Sequence, residues 1–190
     1  MNGGCLDKED ITKYLAEGAA ARTAVDTEMI LDISSKIGKN MIEGKKLILM
    51  GNGGSAADSQ HIAAEFVGKF QRERRPLMAL ALNTNTSSVT AIGNDYGYDK
   101  VFERQVEAFA REGDIVIGLS TSGNSENVIK AIEMANKLGC ITVGMTGKNG
   151  GKLAEKAKYS IKVDSNKTSI IQEVHIAIGH IMSNIIEDMI

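Results

Sequence analysis

Two stretches of this chain share one design, and their repetition restricts the fold more than any other feature. Leu47 to Met50 is an apolar run of strand length followed by Gly51-Asn52-Gly53-Gly54-Ser55, and Ile115 to Leu119 is another, followed by Ser120-Thr121-Ser122-Gly123-Asn124-Ser125. Each leads at once into a helical pattern. In the first, Ser55 stands where an N-cap belongs, with Asp58 after it as a capping-box-like acid. In the second, the helix runs to Leu138 and stops at Gly139. Glycine lets backbone turn sharply and approach a ligand closely. A helix start adds amides and roughly +0.5 of dipole charge for an anion. By itself the first loop reads equally well as a tight turn, because it has neither the dinucleotide fingerprint nor a Gly-Lys-Ser/Thr. The second, hydroxyl-rich copy favours a phosphate monoester, held without need of a lysine.

Further short apolar runs at Met78 to Leu82, Ile141 to Met145 and Tyr159 to Val163 alternate with helical patterns. Alternation of this kind predicts an α/β fold, a five-stranded parallel sheet with helices on both faces in the flavodoxin-like doubly wound manner. With 190 residues, 43% of them hydrophobic, the chain can bury a full core and reads as one domain over 1–190. Asn83 to Ser88 follows the second strand; Thr84 and Asn85 there can meet a ligand or cap a helix. Gly93 to Gly97 reads as a turn, Lys100 to Arg111 as a helix, and Leu153 to Ala157 as a short one. Ahead of the first strand, residues 1–44 form a helical arm, with Ile11, Tyr14, Leu15 and Ala19 on one face, then Met29, Ile30, Ile33, Ile37 and Ile42 on another. Val25-Asp26-Thr27 can interrupt it. Its generous apolar stripes favour packing against another copy over packing on its own domain.

A formal charge of −2 and a pI near 6.0 provide no basic field for nucleic acid. Arg72 to Arg75, interrupted by Glu73, reads as a solvated loop. No run approaches membrane-spanning length. Cys5 and Cys140 lie far apart and the N terminus carries neither an apolar signal nor a basic leader, so the expectation is a reducing cytoplasm with free thiols, Cys140 in the core and Cys5 in a tail.

Chemistry-bearing side chains concentrate on two helices. His61 and Glu65 are four residues apart, one turn along a single face, within reach of one metal or small ligand. The last helix, about Thr168 to Met189, sets Ile171, Val174, Ile178, Ile181, Ile185 and Met189 at core spacing. Its Gln172 and His180 are eight residues apart, roughly 80° around and about 12 Å along the axis. They converge on one ligand only with both side chains extended; otherwise they serve different sites, or one serves a neighbouring subunit. His175 reads as structural.

Taken together, Gly51 to His61, Glu65, Gly93-Asn94-Asp95, Ser120 to Ser125 and Gln172-Glu173-Val174-His175 with His180 closely resemble the phosphoheptose isomerases of the sugar isomerase (SIS) fold family, over essentially the whole chain. The resemblance implies conversion of sedoheptulose 7-phosphate into D-glycero-D-manno-heptose 7-phosphate, the first step toward activated heptose for lipopolysaccharide or other surface glycans. It also implies a cytoplasmic homotetramer with sites between subunits. Substrate and its phosphate would meet Asn52, Gly53, Gly54, Ser55, Asn85, Asp95, Ser120, Thr121, Ser122, Ser125 and Gln172. Zinc, one per subunit, would be held by residues matching His61, Glu65, Gln172 and His180. Many relatives have arginine at the positions of Lys69 and Ile170, where this chain loses a bidentate donor. Aldose–ketose interconversion moves a proton between adjacent carbons through an enediolate, so Glu65 is the expected base and His180 its acid/base partner. The alternatives are a non-catalytic SIS module that binds a sugar phosphate and regulates a partner, of the replication-initiator-associating type, and another reaction on the same fold, such as isomerisation of another ketose phosphate or cleavage of a sugar lactyl ether. The long span from Gln172 to His180 leads to the further expectation that the acid and base of one site come from different subunits.

Overall fold

The computed structural model describes residues 7–190, so Cys5 lies outside the described residues. Its centre is a sheet of five parallel strands, β1 (Leu47–Gly51), β2 (Ala79–Ala81), β3 (Ile115–Ser120), β4 (Ile141–Thr146) and β5 (Tyr159–Lys162), in the order β2-β1-β3-β4-β5. Along β1, Leu47 and Leu49 face one apolar layer while Ile48 and Met50 face the other, which is why the strand reads as a continuous hydrophobic run. The expected fold class is therefore what forms.

One layer holds α2 (Thr27–Ile42), α3 (Gly54–Val67) and α8 (Thr168–Glu187), with α1 (Lys8–Thr23) lying over α8; the other holds α5 (Glu103–Phe109), α6 (Glu126–Lys137) and α7 (Gly151–Lys156). Asp7 caps α1 through a reciprocal box with Asp10, and Asp26 caps α2 by accepting from the Met29 amide, so the arm is two helices broken at the expected Val25-Asp26-Thr27. Ile30, Ile33 and Ile37 are buried in this chain's own core, whereas Ile11 and Leu15 are exposed at 54% and 65%. The arm thus packs on its own sheet by α2 and leaves the Ile11 and Leu15 face of α1 uncovered.

Three elements differ from the sequence expectation. Residues 93–97 are not a free turn: α4 (Thr86–Tyr96) runs through Gly93 and Asn94 and stops only at Gly97, whose φ of 93° suits glycine. The segment after it is a 3₁₀ turn, Tyr98–Lys100, before α5, rather than one helix to Arg111. In α8 the buried stripe continues from Ile178 to Met182 and Ile186, leaving Ile181 exposed, because a 3.6-residue period drifts away from the strict Ile181 and Ile185 spacing. Arg72 to Arg75 is not simply solvated either. The Arg74 guanidinium donates to the carbonyls of Glu65, Phe66 and Gly68, capping the end of α3, and sits 3.4 Å from the buried Glu187 carboxylate. Glu187 in turn accepts from the amides of Phe70, Gln71 and Arg72.

Cys140 is buried, and burial pushes its thiol up to about 11. His175 is also buried, its Nε2 3.2 Å from the Thr146 carbonyl, and burial lowers its pKa to about 4 from 6.5. Both match the structural roles expected of them. The folded chain keeps His175 neutral while the unfolded chain protonates it below pH 6.5, so stability is lost as pH falls from 6.5 toward 4, by up to about 3 kcal/mol. A His175→Gln variant, whose amide can still donate to Thr146, is expected to show a flatter loss over that range when urea midpoints are compared at pH 7 and pH 4.5.

Candidate functional site

In an open parallel sheet, ligands gather where the strand order reverses, at the carboxyl ends of the two strands that flank the reversal. Here those strands are β1 and β3, with Gly51 beside Leu119 in register. Both glycine- and serine-rich loops therefore emerge side by side.

The first loop starts its helix differently from expectation. Gly53, at φ 55° and ψ −122°, is the N-cap, α3 begins at Gly54, and no side chain caps it. Only glycine holds that backbone cheaply, so the helix begins two residues earlier than a Ser55 cap would allow. Ser55 is instead the buried second residue, and Asp58 makes no capping box; burial pushes its carboxyl pKa up, and its Oδ2 has no partner among the described residues. Gly51 has no room for a side chain, since a Cβ would lie 2.7 Å from Ser55.

In the second loop the hydroxyls converge. Ser120 Oγ is 2.9 Å from Ser125 Oγ and 3.5 Å from Ser122 Oγ, and Ser122 Oγ also accepts from the Asn124 amide. Ser125 is the N-cap of α6, yet its side chain turns to Ser120 and leaves the cap amides alone. Beside this loop lies a cavity of about 450 Å³ lined by Thr121, Ser122, Asn124, Lys148, Asn149 and Ser165 among others. Asn85 takes the capping alternative, accepting from the Ser88 amide at the head of α4, while Thr84 donates to the Ala81 carbonyl. Asp95 lies in the exposed last turn of α4 and accepts from Asn94.

α3 and α8 run parallel, and glycines let them meet. A Cβ on Gly179 would lie 2.5 Å from Ile62 Cγ1, and one on Gly54 would lie 2.6 Å from Gln172 Nε2. That alignment brings His180 Nε2 to 3.4 Å from His61 Nε2, which is 3.2 Å from Glu65 Oε1. Ligand atoms of His61, Glu65 and His180 all lie within 4.8 Å of one another. Two imidazole nitrogens and one carboxylate oxygen this close together are a set of ligand atoms that could hold a metal ion. Gln172 is not with them. It lies against Gly54, seven residues and about 10 Å of helix from His61, at the glycine-loop end. Glu65 and His180 of one chain already meet, so the geometry does not call for an acid and a base from different subunits.

Sequence reasoning missed the supports. Phe70 stacks on His180, with ring centroids 5.6 Å apart, and Glu187 and Arg74 hold the Phe70 to Arg72 segment against the end of α3. Asn127, buried in α6, forms a two-way amide pair with Asn52. The only sequence signal for Glu187 was an acid close to the core stripe of the last helix.

A family model for the SIS domain matches residues 13–147. Over 94% of this chain and 98% of its own length, a protein of Thermoplasma acidophilum named a probable phosphoheptose isomerase is 54% identical; the phosphoheptose isomerase of Aquifex aeolicus is 49% identical over 96% and 97%. The chain belongs to the phosphoheptose isomerase family of SIS-domain proteins. The solved phosphoheptose isomerase of Neisseria gonorrhoeae superposes with a TM-score of 0.89 at 39% identity, covering 95% of this chain and 98% of that one. That of Francisella tularensis gives 0.92 at 30% identity, over 97% and 100%. Within this isomerase family the departures noted above fall outside the cluster: Ile170 is buried, and Lys69 pairs with exposed Glu73.

The serine loop depends on Gly123, at φ 67°, where a Cβ would stand 1.9 Å from the Gly150 carbonyl. Gly123→Ala is expected to cost at least about 2 kcal/mol in urea unfolding, from left-handed backbone and the clash together.

Proposed function

We propose that this chain isomerises sedoheptulose 7-phosphate to D-glycero-D-manno-heptose 7-phosphate. The single observation that carries the reading is the meeting of Glu65, His61 and His180 on the same helix pair whose other end abuts the phosphate loops. A regulatory module that only binds the sugar phosphate has no use for that cluster.

Ser120, Ser122 and Ser125 donate hydroxyls to the phosphate, assisted by the starts of α3 and α6. From Ser55 to Glu65 is ten residues of helix, about 15 Å, with side chains reaching inward from both ends. That span suits a long sugar chain better than a triose. Glu65 takes a proton from C1 of the ketose, exchanges it with solvent and delivers a proton to C2, and His180 moves a proton between the hydroxyl and carbonyl oxygens. Glu65 Oε1 is the oxygen turned to His61, which leaves the second carboxylate oxygen for the substrate carbon. His61, Glu65 and His180 would hold zinc, which supplies Lewis-acid polarisation of the carbonyl oxygen when bound. Phe70 fixes the His180 ring by stacking. A cytoplasmic homotetramer, with zinc in each subunit and Gln172 completing the substrate shell, belongs to the same proposal. Support for the assembly comes from the uncovered face of α1.

Glu65→Gln is expected to keep the fold and bind sugar phosphate while turnover falls by ~10² or more, the usual scale for losing a general acid/base. Near-normal turnover in a coupled assay would remove Glu65 from the mechanism.

A further inference from the structure

Three side chains at the β1 and β3 strand ends form a hydrogen-bond relay whose direction is set at one point. The Val128 backbone N–H donates to Asn127 Oδ1 at 3.0 Å. A backbone N–H can only donate, so the Asn127 oxygen faces it and the Asn127 amino group faces the other way. Asn127 Nδ2 then donates to Asn52 Oδ1 at 2.9 Å, and Asn52 Nδ2 donates back to Asn127 Oδ1 at 3.0 Å. With Asn127 only 4% exposed, this exchange cannot be replaced by water. Asn52 is thereby held in one amide orientation, and its Oδ1 accepts a second bond, from the Tyr98 hydroxyl at 3.1 Å.

The accounting of donors and acceptors leaves a specific remainder. Asn52 Oδ1 and Asn127 Oδ1 each accept two bonds. One N–H of Asn52 has no partner among the described residues. The Tyr98 proton is committed to Asn52, which leaves the phenolic oxygen as an acceptor, on a side chain that is 58% exposed. Tyr98 is also well anchored. Its 3₁₀ turn is tied to α6 by the Asp99 and Lys130 ion pair, its ring rests near Gly93, and the following Val101 and Phe102 are fully buried. Asn52 immediately precedes Gly53 and Gly54, against which Gln172 lies, so the phenolic oxygen and the free N–H, on opposite edges of the Asn52 amide, flank the start of the glycine loop.

We propose that Tyr98 is a specificity-determining residue for the sugar chain. Its oxygen accepts from one substrate hydroxyl while the free Asn52 N–H, on the other edge of that amide, donates to a more distant one. Asn127 is the positioning residue that fixes both. The pair recognises a polyhydroxylated chain and ignores a bare phosphate. The inference rests on the sugar phosphate reading given above.

Calorimetry with inorganic phosphate and with sedoheptulose 7-phosphate, on the full chain and on Tyr98→Phe, tests it, together with steady-state kinetics. Tyr98→Phe removes only the hydroxyl of an exposed ring. The expected result is an affinity for the sugar phosphate lower by about three- to tenfold, with a matching rise in KM, unchanged phosphate affinity and an unchanged unfolding midpoint. Asn127→Asp, which cannot donate to Asn52, is expected to lose sugar phosphate affinity by more than Tyr98→Phe and to lose phosphate affinity with it, because the same pair joins the two loops. Equal sugar phosphate affinity in Tyr98→Phe and the unaltered chain would overturn the proposal. So would equal losses for both ligands in Tyr98→Phe, which would make Tyr98 a mere brace of the loop. An unaltered chain that binds the sugar phosphate no better than phosphate would overturn the sugar phosphate reading itself, and this inference with it.

Discussion

The close, parallel packing of α3 on α8 is the contact on which the rest of the site depends. Gly179 has no side chain to keep Ile62 away, and Gly54 has none to keep Gln172 away, so the two helices stay in register over their length. Because they run in the same direction, each level of one helix faces a fixed level of the other. The lower level puts Gln172 against the glycine loop, and the upper puts His180 beside His61 and Glu65. The register is locked past the helix ends, where Glu187 binds the Phe70 to Arg72 amides and Arg74 caps α3. Burial pushes the Glu187 pKa up, but those three amides and Arg74 outweigh it and hold the carboxyl below its ordinary range. A buried carboxylate that stays charged through its hydrogen bonds makes a firm anchor.

The sheet supplies the other half of the arrangement. Parallel strands send both loops to the same edge, and the reversal between β1 and β3 opens a crevice there without any cost in core packing. The loops are then joined across the crevice by the Asn52 and Asn127 pair. The serine- and glycine-loop end and the His61, Glu65 and His180 end are thus fixed by separate contacts, one between loops and one between helices.

Much of this was legible in the sequence, and for physical reasons. Two-faced strands such as Leu47 to Met50 read as uninterrupted apolar runs, and the turn residues after them identify the ligand edge. The four-residue spacing of His61 and Glu65 placed them together correctly, because that spacing is a property of one helix. What escaped involved pairs of elements. No periodicity within α8 could show that Gly179 admits Ile62, so the distance from Gln172 to His180 looked like an obstacle, whereas each simply serves a different level of α3. The Gly53 cap and the extension of α4 through Gly93 and Asn94 escaped because local residue preference points to other boundaries, and only backbone φ decides between them. Arg74 looked solvated in a run of charges; its burial comes from the C terminus of α3 and the distant Glu187.

At the centre of this account is proton transfer by Glu65 through an enediolate, not a shift of hydrogen directly between carbons. Turning over sedoheptulose 7-phosphate in D₂O and reading the product by proton NMR tests it most directly. A carboxylate that lifts the C1 proton next to an open site exchanges it with solvent, so the account predicts deuterium at C2 of the aldose product. Full turnover to an aldose that carries no deuterium at C2 would contradict it.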